Sequence, residues 1–534
     1  MRKWLRNMIA GLLSAAMLLP GTSGFAADGK FNMSYLYFGS TSTYVQTVER
    51  TKGALHVVSP DFFNLNADGS LKLTTKLSTS FIAEMHKRNI KVVPFLSNHW
   101  DRELGRRALQ NREQLSTQIA NAIATYNLDG INVDIENLTE TDRAAYTDMV
   151  RLINSKIPAH KEVSVAVAAN PFGSNVGWKG SYDYKQLAAY SDYLMIMAYD
   201  ENYSGDLTPG PVASDAFVKR SIEYALNQGV SKEKVVLGIP FFGRAWSADG
   251  TMNGAGVSNW RVPELVKKYG GRIVYDAPTK SAKATFTVAP GDEVTVIGST
   301  TFSAGTYTIW FENEASIKEK LRLVGQYDIK GTGSWSLTQE EAGTWDYYSR
   351  WLNGRFFIDT EKHWAAQDIL AMLDKGWMVG TSPLKFSPEQ RLTRAQAAVI
   401  LVKAAGLEDQ SAPNAGFRDV PSGFWAKRHI DIAKRAGFIT GKEYNLFAPD
   451  QQVSREEIAS MLARILNLQM EPESEPPFSD VQGGWSYDAV LAMKQAGILN
   501  GFEDGTFHPK DGTSRAEMAS LMNRIGDRLN EHNN

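Results

Sequence analysis

Between Leu128 and Glu136 the chain reads Leu-Asp-Gly-Ile-Asn-Val-Asp-Ile-Glu, an apolar strand with one amide and two carboxylates threaded through it. Strand side chains alternate with period two, so Ile131, Val133 and Ile135 share one face while Asn132, Asp134 and Glu136 share the other. Burying two unpaired carboxylates is costly. Such a segment therefore folds where its apolar face packs under other elements and its acidic face meets water, a partner or a substrate. A catalytic site is the first expectation for Asp134 and Glu136; a solvated strand end or an internal ion pair is the competing one.

The surroundings of that strand narrow the fold. From Phe31 to about Leu352, short apolar strands alternate with helical stretches: Met33 to Phe38, Leu55 to Ser59, Lys91 to Leu96, Gly130 to Ile135, Val163 to Ala168, Tyr193 to Ala198, Val235 to Pro240 and Gly331 to Leu337. Eight such strands over roughly 300 residues predict an α/β fold of the (β/α)8 TIM-barrel type over residues 28–352. Ser247 to Glu314, between the seventh and eighth strands, is too long for a simple crossover. Its β-rich pieces, Arg272 to Tyr275, Ala284 to Val288, Glu293 to Ile297 and Thr306 to Phe311, predict an inserted α+β lobe over 247–314 that walls one side of a groove.

Past Phe356 the chain repeats itself. Trp364, Trp425 and Trp485 recur at near-constant spacing, as do Phe386-Ser387-Pro388, Phe447-Ala448-Pro449 and Phe507-His508-Pro509, and Arg394, Arg455 and Arg515. Ser or Thr stands three residues before Gln or Glu in each repeat (Thr393/Gln396, Ser454/Glu457, Ser514/Glu517), the capping box that opens an apolar helix. Three small α-helical modules are expected, over 356–407, 416–468 and 477–528. Their tryptophans are read first as repeat-core residues and second as ligand contacts. The arginines follow the helix cap directly, so solvent exposure is weighed evenly against pairing with carboxylates of a polymer.

Composition removes several functional classes. The net charge is −2 with no long basic run, which gives no footprint for nucleic acid or an anionic membrane. Residues 1–27 combine Arg2, Lys3 and Arg6, an apolar run from Met8 to Leu19, and small residues at Gly24-Phe25-Ala26, the pattern of an export signal rather than an anchor. A secreted protein retained at the cell wall, with no membrane contact after signal removal, is expected. Cysteine is absent, so stability rests on packed cores. No cofactor is implied, and no spacing supports a metal site built from Asp134, Glu136 and His99.

The barrel segment resembles family 18 glycoside hydrolases, the chitinase-like family, whose fourth-strand signature Asp-Gly-x-Asp-x-Asp-x-Glu stands here as Asp129 to Glu136. Met197-Ala198-Tyr199-Asp200 at the end of the sixth strand, Gly238 to Arg244 running off the seventh, and Trp335 near the end of the eighth agree in order and position. Asn132 departs from the aspartate that many chitinases carry, and in this it resembles spore-cortex and peptidoglycan-lytic members. The resemblance implies that Glu136 is the general acid and that Asp134 orients the substrate's acetamide. It further implies that Tyr199 donates to the acetamide carbonyl and that Trp335 stacks under the sugar, although either aromatic could be a core residue. Asn132 is expected to tune Asp134 by hydrogen bonding, while Met197, Asp200 and Arg244 are further pocket candidates. Ordinary retaining glycosidases place a nucleophilic carboxylate about 5–5.5 Å from the acid. No second carboxylate motif fills that role here, so the substrate's own N-acetyl group is expected to attack, the route for which this family is known.

The repeats resemble S-layer homology modules at Asp359, His363-Trp364-Ala365 and Thr393-Arg394, at Asp419, Trp425-Ala426 and Ser454-Arg455, and at Asp480, Trp485 and Ser514-Arg515. This implies a pseudo-threefold unit holding an anionic secondary cell-wall polymer through those aspartates, tryptophans and arginines; the third repeat lacks His and Ala beside its tryptophan. The combined expectation is a wall-tethered, retaining β-N-acetylglucosaminidase or chitinase-like hydrolase acting on N-acetylglucosamine glycans, with peptidoglycan first and chitin second. The alternative is an inactive carbohydrate-binding or surface-layer structural protein.

Overall fold

Apolar strands with no polar face to spare can be satisfied only by covering both sides of the sheet, and this dictates the N-terminal architecture. The computed structural model describes residues 29–471 and 476–532, and the chain divides at Gly354/Arg355 into two compact units. The expected export signal over 1–27 lies outside the described residues.

In the first unit the barrel strands are Phe31–Leu36, Val57–Pro60, Lys91–Val92 continued by Phe95–Ser97, Gly130–Asp134, Glu162–Ala168, Tyr193–Met197, Val235–Pro240 and Gly331–Trp335. All pair in parallel, the eighth with both the seventh and the first. The third strand is interrupted around Pro94. Its first piece pairs with the second strand and its later piece with the fourth, so the succession of pairs returns on itself in a TIM-barrel-like α/β fold. A hairpin absent from the sequence expectation, Phe63–Leu65 with Leu71–Leu73, joins the sheet beside Leu96. The barrel interior is filled by Met33, Tyr35, Val57, Phe95, Ala166, Tyr193, Met195 and Val236.

Gly130 shows how tightly the barrel is drawn at the start of the fourth strand. Its φ is 154°, and a Cβ there would lie 2.0 Å from the Glu162 carbonyl oxygen, so only glycine fits against the fifth strand. The preceding Asp129 accepts from the Val92 backbone N–H at 2.8 Å and contacts His86 Nε2 at 2.7 Å, tying the strand to its neighbours.

The inserted lobe is a five-stranded antiparallel sheet of Asn253–Ser258, Phe242–Ser247, Gly305–Phe311, Ser281–Val288 and Arg272–Asp276, in that spatial order, covered by the helix Arg261–Lys268. It begins at Phe242, five residues before the expected boundary at Ser247. The reason is that the chain leaving the seventh strand at Pro240 passes directly into a lobe strand.

The second unit contains three helix pairs: Ala366–Asp374 with Arg394–Ala404, Lys427–Arg435 with Arg455–Ile465, and Tyr487–Gln495 with Arg515–His532. The capping boxes form at Thr393/Gln396 and Ser454/Glu457, and Ser514 and Glu517 make the same reciprocal bonds. The second helix of each pair packs against the first helix of the next, and Arg515–His532 packs back on Ala366–Asp374. At the centre, three backbone hydrogen bonds of 2.9 Å close a ring. Leu392 N–H donates to the Thr513 carbonyl, Thr513 N–H to that of Val453, and Val453 N–H to that of Leu392.

Candidate active site

The fourth strand delivers its acidic face to the carboxyl end of the barrel, where this architecture gathers its loops. Asp134 is 6% exposed, and its Oδ1 is buried with no hydrogen-bond partner among the described residues. Glu136, two residues on, is half-buried at the wall of the cleft. Burial pushes the Asp134 pKa up to about 7. Burial also raises Glu136 well above the ordinary carboxylate range, and the charges of Asp134 and Asp200 push in the same direction. Both shifts favour the protonated form, the state a proton donor requires.

The backbone of Glu136 is clamped by a residue the sequence reading missed. Asn98 Oδ1 accepts from Glu136 N–H at 2.8 Å, and Asn98 Nδ2 donates to the Glu136 carbonyl at 2.9 Å and to the Asp101 carbonyl at 2.8 Å. Asn98 is fully buried. Its position just beyond the third strand, on the face where barrels place their chemistry, was the available signal.

Two cavities meet at Glu136. The first, of about 390 Å3, is lined by Asp134, Tyr35, Phe95, His99, Tyr199 and Trp335 among others. Trp335 packs there with ring centroids 5.2 Å from Tyr35 and 5.5 Å from Tyr37. The second, of about 860 Å3, is lined by Trp100, Phe172, Trp178, Lys179 and Tyr203 among others. Met197, Tyr199, Asp200 and Arg244 border both. Among the described residues the carboxylates lining the first cavity are Asp134, Glu136 and Asp200. Asp200 is already engaged in a bidentate pair, accepting from Arg244 Nε at 2.9 Å and Nη2 at 2.6 Å. Among the described residues no group of three or more His, Asp or Glu is arranged to hold a metal ion.

Asn132 does not occupy the place expected of it. It is fully buried, accepts from Tyr35 Oη at 2.8 Å and donates to Ser164 Oγ at 2.9 Å. It lies one step deeper in the barrel than Asp134, so both ends of its amide are spent on the interior and neither bonds Asp134. The polar face read from the sequence thus divides into one packing residue and two cleft residues.

The second unit corrects two further expectations. Trp364, Trp425 and Trp485 are 64%, 62% and 63% exposed, so they are surface residues and not core. Phe386, Phe447 and Phe507 fill the core instead. Two of the three arginines are withdrawn from solvent, while Arg455 is half-buried and lines a groove with Trp364. Arg394 and Arg515 are buried, each donating to the carbonyl of the next module's core phenylalanine, Phe447 or Phe386, at 2.8 Å. Arg394 pairs with Glu457 and Arg455 with Glu517, both at 2.7 Å. Among the described residues Arg515 has no such pair, and burial pulls its pKa down to about 10. Asp359, Asp419 and Asp480 each accept two backbone N–H groups of the adjoining Phe-x-Pro turn at 2.7–3.0 Å. A groove of about 270 Å3 brings Trp364 together with Arg455, Asn500, Phe502 and Glu517.

No helix among the described residues is long and apolar enough to cross a membrane. Residues 33–340 match glycosyl hydrolases family 18, and residues 357–398, 416–459 and 477–519 match the S-layer homology domain. The uncharacterized glycosylase YvbX of Bacillus subtilis is 25% identical over 359 residues, covering 65% of this chain and 98% of that protein. The cellulosome-anchoring protein of Acetivibrio thermocellus is 29% identical over 150 residues, covering 27% of this chain and 34% of its own. Among solved structures, the chitinase of Chromobacterium violaceum superposes with a TM-score of 0.52 at 24% identity, covering 60% of this chain and 99% of the other. The spore cortex-lytic enzyme SleL of Bacillus cereus gives 0.52 at 21%, covering 60% and 73%. With the family match spanning the whole run from the first strand past Trp335, and the repeat matches falling on the three helix pairs, this chain belongs to glycosyl hydrolases family 18 and carries three S-layer homology domains.

Proposed function

We propose that the protein is an exported, wall-tethered hydrolase that cleaves β-linked N-acetylglucosamine glycans with retention, peptidoglycan ahead of chitin, using the substrate's acetamide as nucleophile. The observation that carries this reading is the disposition of carboxylates. Asp134 and Glu136 approach the cleft from one strand, and Asp200, the remaining carboxylate of the first cavity, is held by Arg244. Among the described residues no further carboxylate lines that cavity opposite the acid, which supports a retaining route that uses the substrate.

In the proposed reaction the sugar bearing the acetamide sits in the first cavity over Trp335, and the leaving saccharide sits in the second. Asp134 Oδ1, which has no hydrogen-bond partner among the described residues, accepts from the acetamide N–H and turns the carbonyl oxygen toward the anomeric carbon. Tyr199 donates to that oxygen. As the C–O bond to the oxazolinium ion forms, the glycosidic bond breaks and Glu136 passes its proton to the departing oxygen. Asp134 stabilises the positive charge that develops on the ring nitrogen. Water then adds to the anomeric carbon on the face the leaving group vacated, giving its proton to Glu136 and restoring both the acetamide and the acid. Two inversions at one carbon give net retention.

The S-layer homology domains are proposed to hold the enzyme on an anionic wall polymer. Exposed Trp364, Trp425 and Trp485 supply stacking faces, and Arg455 lends positive charge to the groove beside Trp364. Asn132 retains a lean toward peptidoglycan through its family resemblance alone.

The test pairs wild type with Glu136→Gln on purified peptidoglycan and chitin oligomers, with products read by mass spectrometry. Hydrolysis by wild type, with the new reducing end in the β-configuration and loss of at least about 10^3-fold in the variant, is expected. Glycan binding without hydrolysis by either protein would instead support the inactive binding protein. Loss of cell-wall sedimentation on removing residues 356–534 checks the anchoring.

A further inference from the structure

The second cavity contains a charge that neutral chitin would leave unanswered. Lys179 lies on the short helix Gly177–Gly180, in the loop after the fifth strand, and lines this cavity with Glu136. It is half-buried, and burial alone lowers its pKa. Among the described residues it makes no hydrogen bond and no ion pair. The cavity's other charges are accounted for. Asp200 and Arg244 hold each other, Glu201 accepts from Ser214 N–H at 2.8 Å, and Glu136 is the acid.

The helix is fixed relative to the catalytic strand. Trp178 Nε1 donates to Tyr182 Oη at 3.0 Å, and Tyr182 Oη donates to the carbonyl of Ile135, the residue between Asp134 and Glu136, at 3.2 Å. Trp178 also meets Trp100 edge to face at 4.7 Å. Arg143 Nη2 donates to the Asn175 carbonyl at 3.1 Å, holding the approach to the helix. Lys179 is thus presented to whatever occupies the leaving-group side.

A partly desolvated ammonium without a counter-ion is unfavourable in the empty protein and becomes favourable when a ligand supplies the opposite charge. We propose that Lys179 is a specificity-determining residue that pairs with a carboxylate on the leaving saccharide. The chemical class this selects is a glycan whose leaving unit is an acidic amino sugar of the muramic type. Its carboxylate is that of the lactyl ether or, where the lactyl group is amide-linked, that of the attached peptide stem. This rests on the glycosidase reading above and adds to it the origin of a preference for peptidoglycan over chitin.

The test compares wild type, Lys179→Met and Lys179→Arg on three glycans: a chitin oligomer, an alternating N-acetylglucosamine and N-acetylmuramic acid oligomer with free lactyl groups, and the same oligomer carrying peptide stems. The ratio of kcat/KM on an acidic glycan to that on the chitin oligomer is expected to fall about tenfold in K179M, as for loss of one partly desolvated ion pair, and to be largely kept in K179R. A fall confined to the free-lactyl oligomer assigns the carboxylate to the lactyl group, and one confined to the stem-bearing oligomer assigns it to the peptide. An unchanged ratio on both acidic glycans overturns the proposal. Calorimetric binding of the same glycans to E136Q and E136Q/K179M separates this outcome from failure of the glycosidase reading. If wild type cleaves none of the glycans that reading fails, while tighter binding of an acidic glycan that disappears with K179M still upholds the role of Lys179, and equal binding overturns it.

Discussion

Replacing Asp134 by Asn measures how much stability the barrel surrenders to keep a carboxylate in its cleft. Asp134 is 6% exposed, and burial moves its pKa from 3.8 to about 7. Because the folded-state value lies above the unfolded one, the native protein holds the extra proton between them. The cost is therefore absent below about pH 3.8, grows as pH rises through that window, and is complete above about pH 7. Roughly three units at about 1.36 kcal/mol each amount to an order of 4 kcal/mol. Glu136 is raised as well and titrates with its neighbour, so the loss belongs to the pair. Asn preserves the shape without the charge. D134N is expected to melt about 6 °C above wild type at pH 8, with the gap closing near pH 4. Hydrolysis should fall at least about 100-fold, as for loss of an electrostatic stabiliser of the reacting centre. Scanning calorimetry of the barrel transition from pH 4 to 8, beside release of reducing ends, reads both quantities. A gap of the same size at pH 4 and pH 8 would refute the assignment of the cost to a buried ionisation.

Three further outcomes follow from the geometry. Asn98→Ala leaves the Glu136 amide and carbonyl without their buried partners, so a loss of about 2–4 kcal/mol in stability is expected, with kcat falling more than KM changes; unaltered kcat at full folding would count against Asn98 as a positioning residue. Gly130→Ala forces a methyl group onto the Glu162 carbonyl and should cost about 3 kcal/mol or more by denaturant titration, and a neutral result would contradict the close approach of the two strands. Gln396→Glu supplies Arg515 with the carboxylate that Arg394 and Arg455 already enjoy, and a gain of about 1–3 kcal/mol in the C-terminal transition is expected; a lower melting temperature would show that the carbonyl contacts of Arg515 suffice.

Much of this architecture could be read from residue order because the barrel strands are apolar runs bounded by breakers, and seven of the eight expected strands coincide with observed ones within two residues at each end that matters to the site. The exceptions are instructive. Pro94 cannot donate to a ladder, so the single expected strand Lys91 to Leu96 is two pieces that serve different neighbours. Period two placed Asn132, Asp134 and Glu136 on one face but carried no information on depth along the barrel axis, which is what separates Asn132 from the cleft. In the repeats, spacing announced that Trp and Phe both recur, while only the packed modules decide that Phe386 goes in and Trp364 stays out. The capping boxes were legible because their bonds are local. The destinations of Arg394, Arg455 and Arg515 were not, because each is met by a residue some 50 to 130 positions away in the chain.

The ring of hydrogen bonds joining Leu392, Val453 and Thr513 has a bearing on how the C-terminal unit comes into being. The link from Val453 to Leu392 needs only the first two modules, whereas both links to Thr513 are missing until that residue has left the ribosome. The first two modules must therefore wait as an open arc with a raw face on either end. Closure therefore waits on the last of the three modules, and a chain cut short before it would carry an unclosed C-terminal unit beside its barrel.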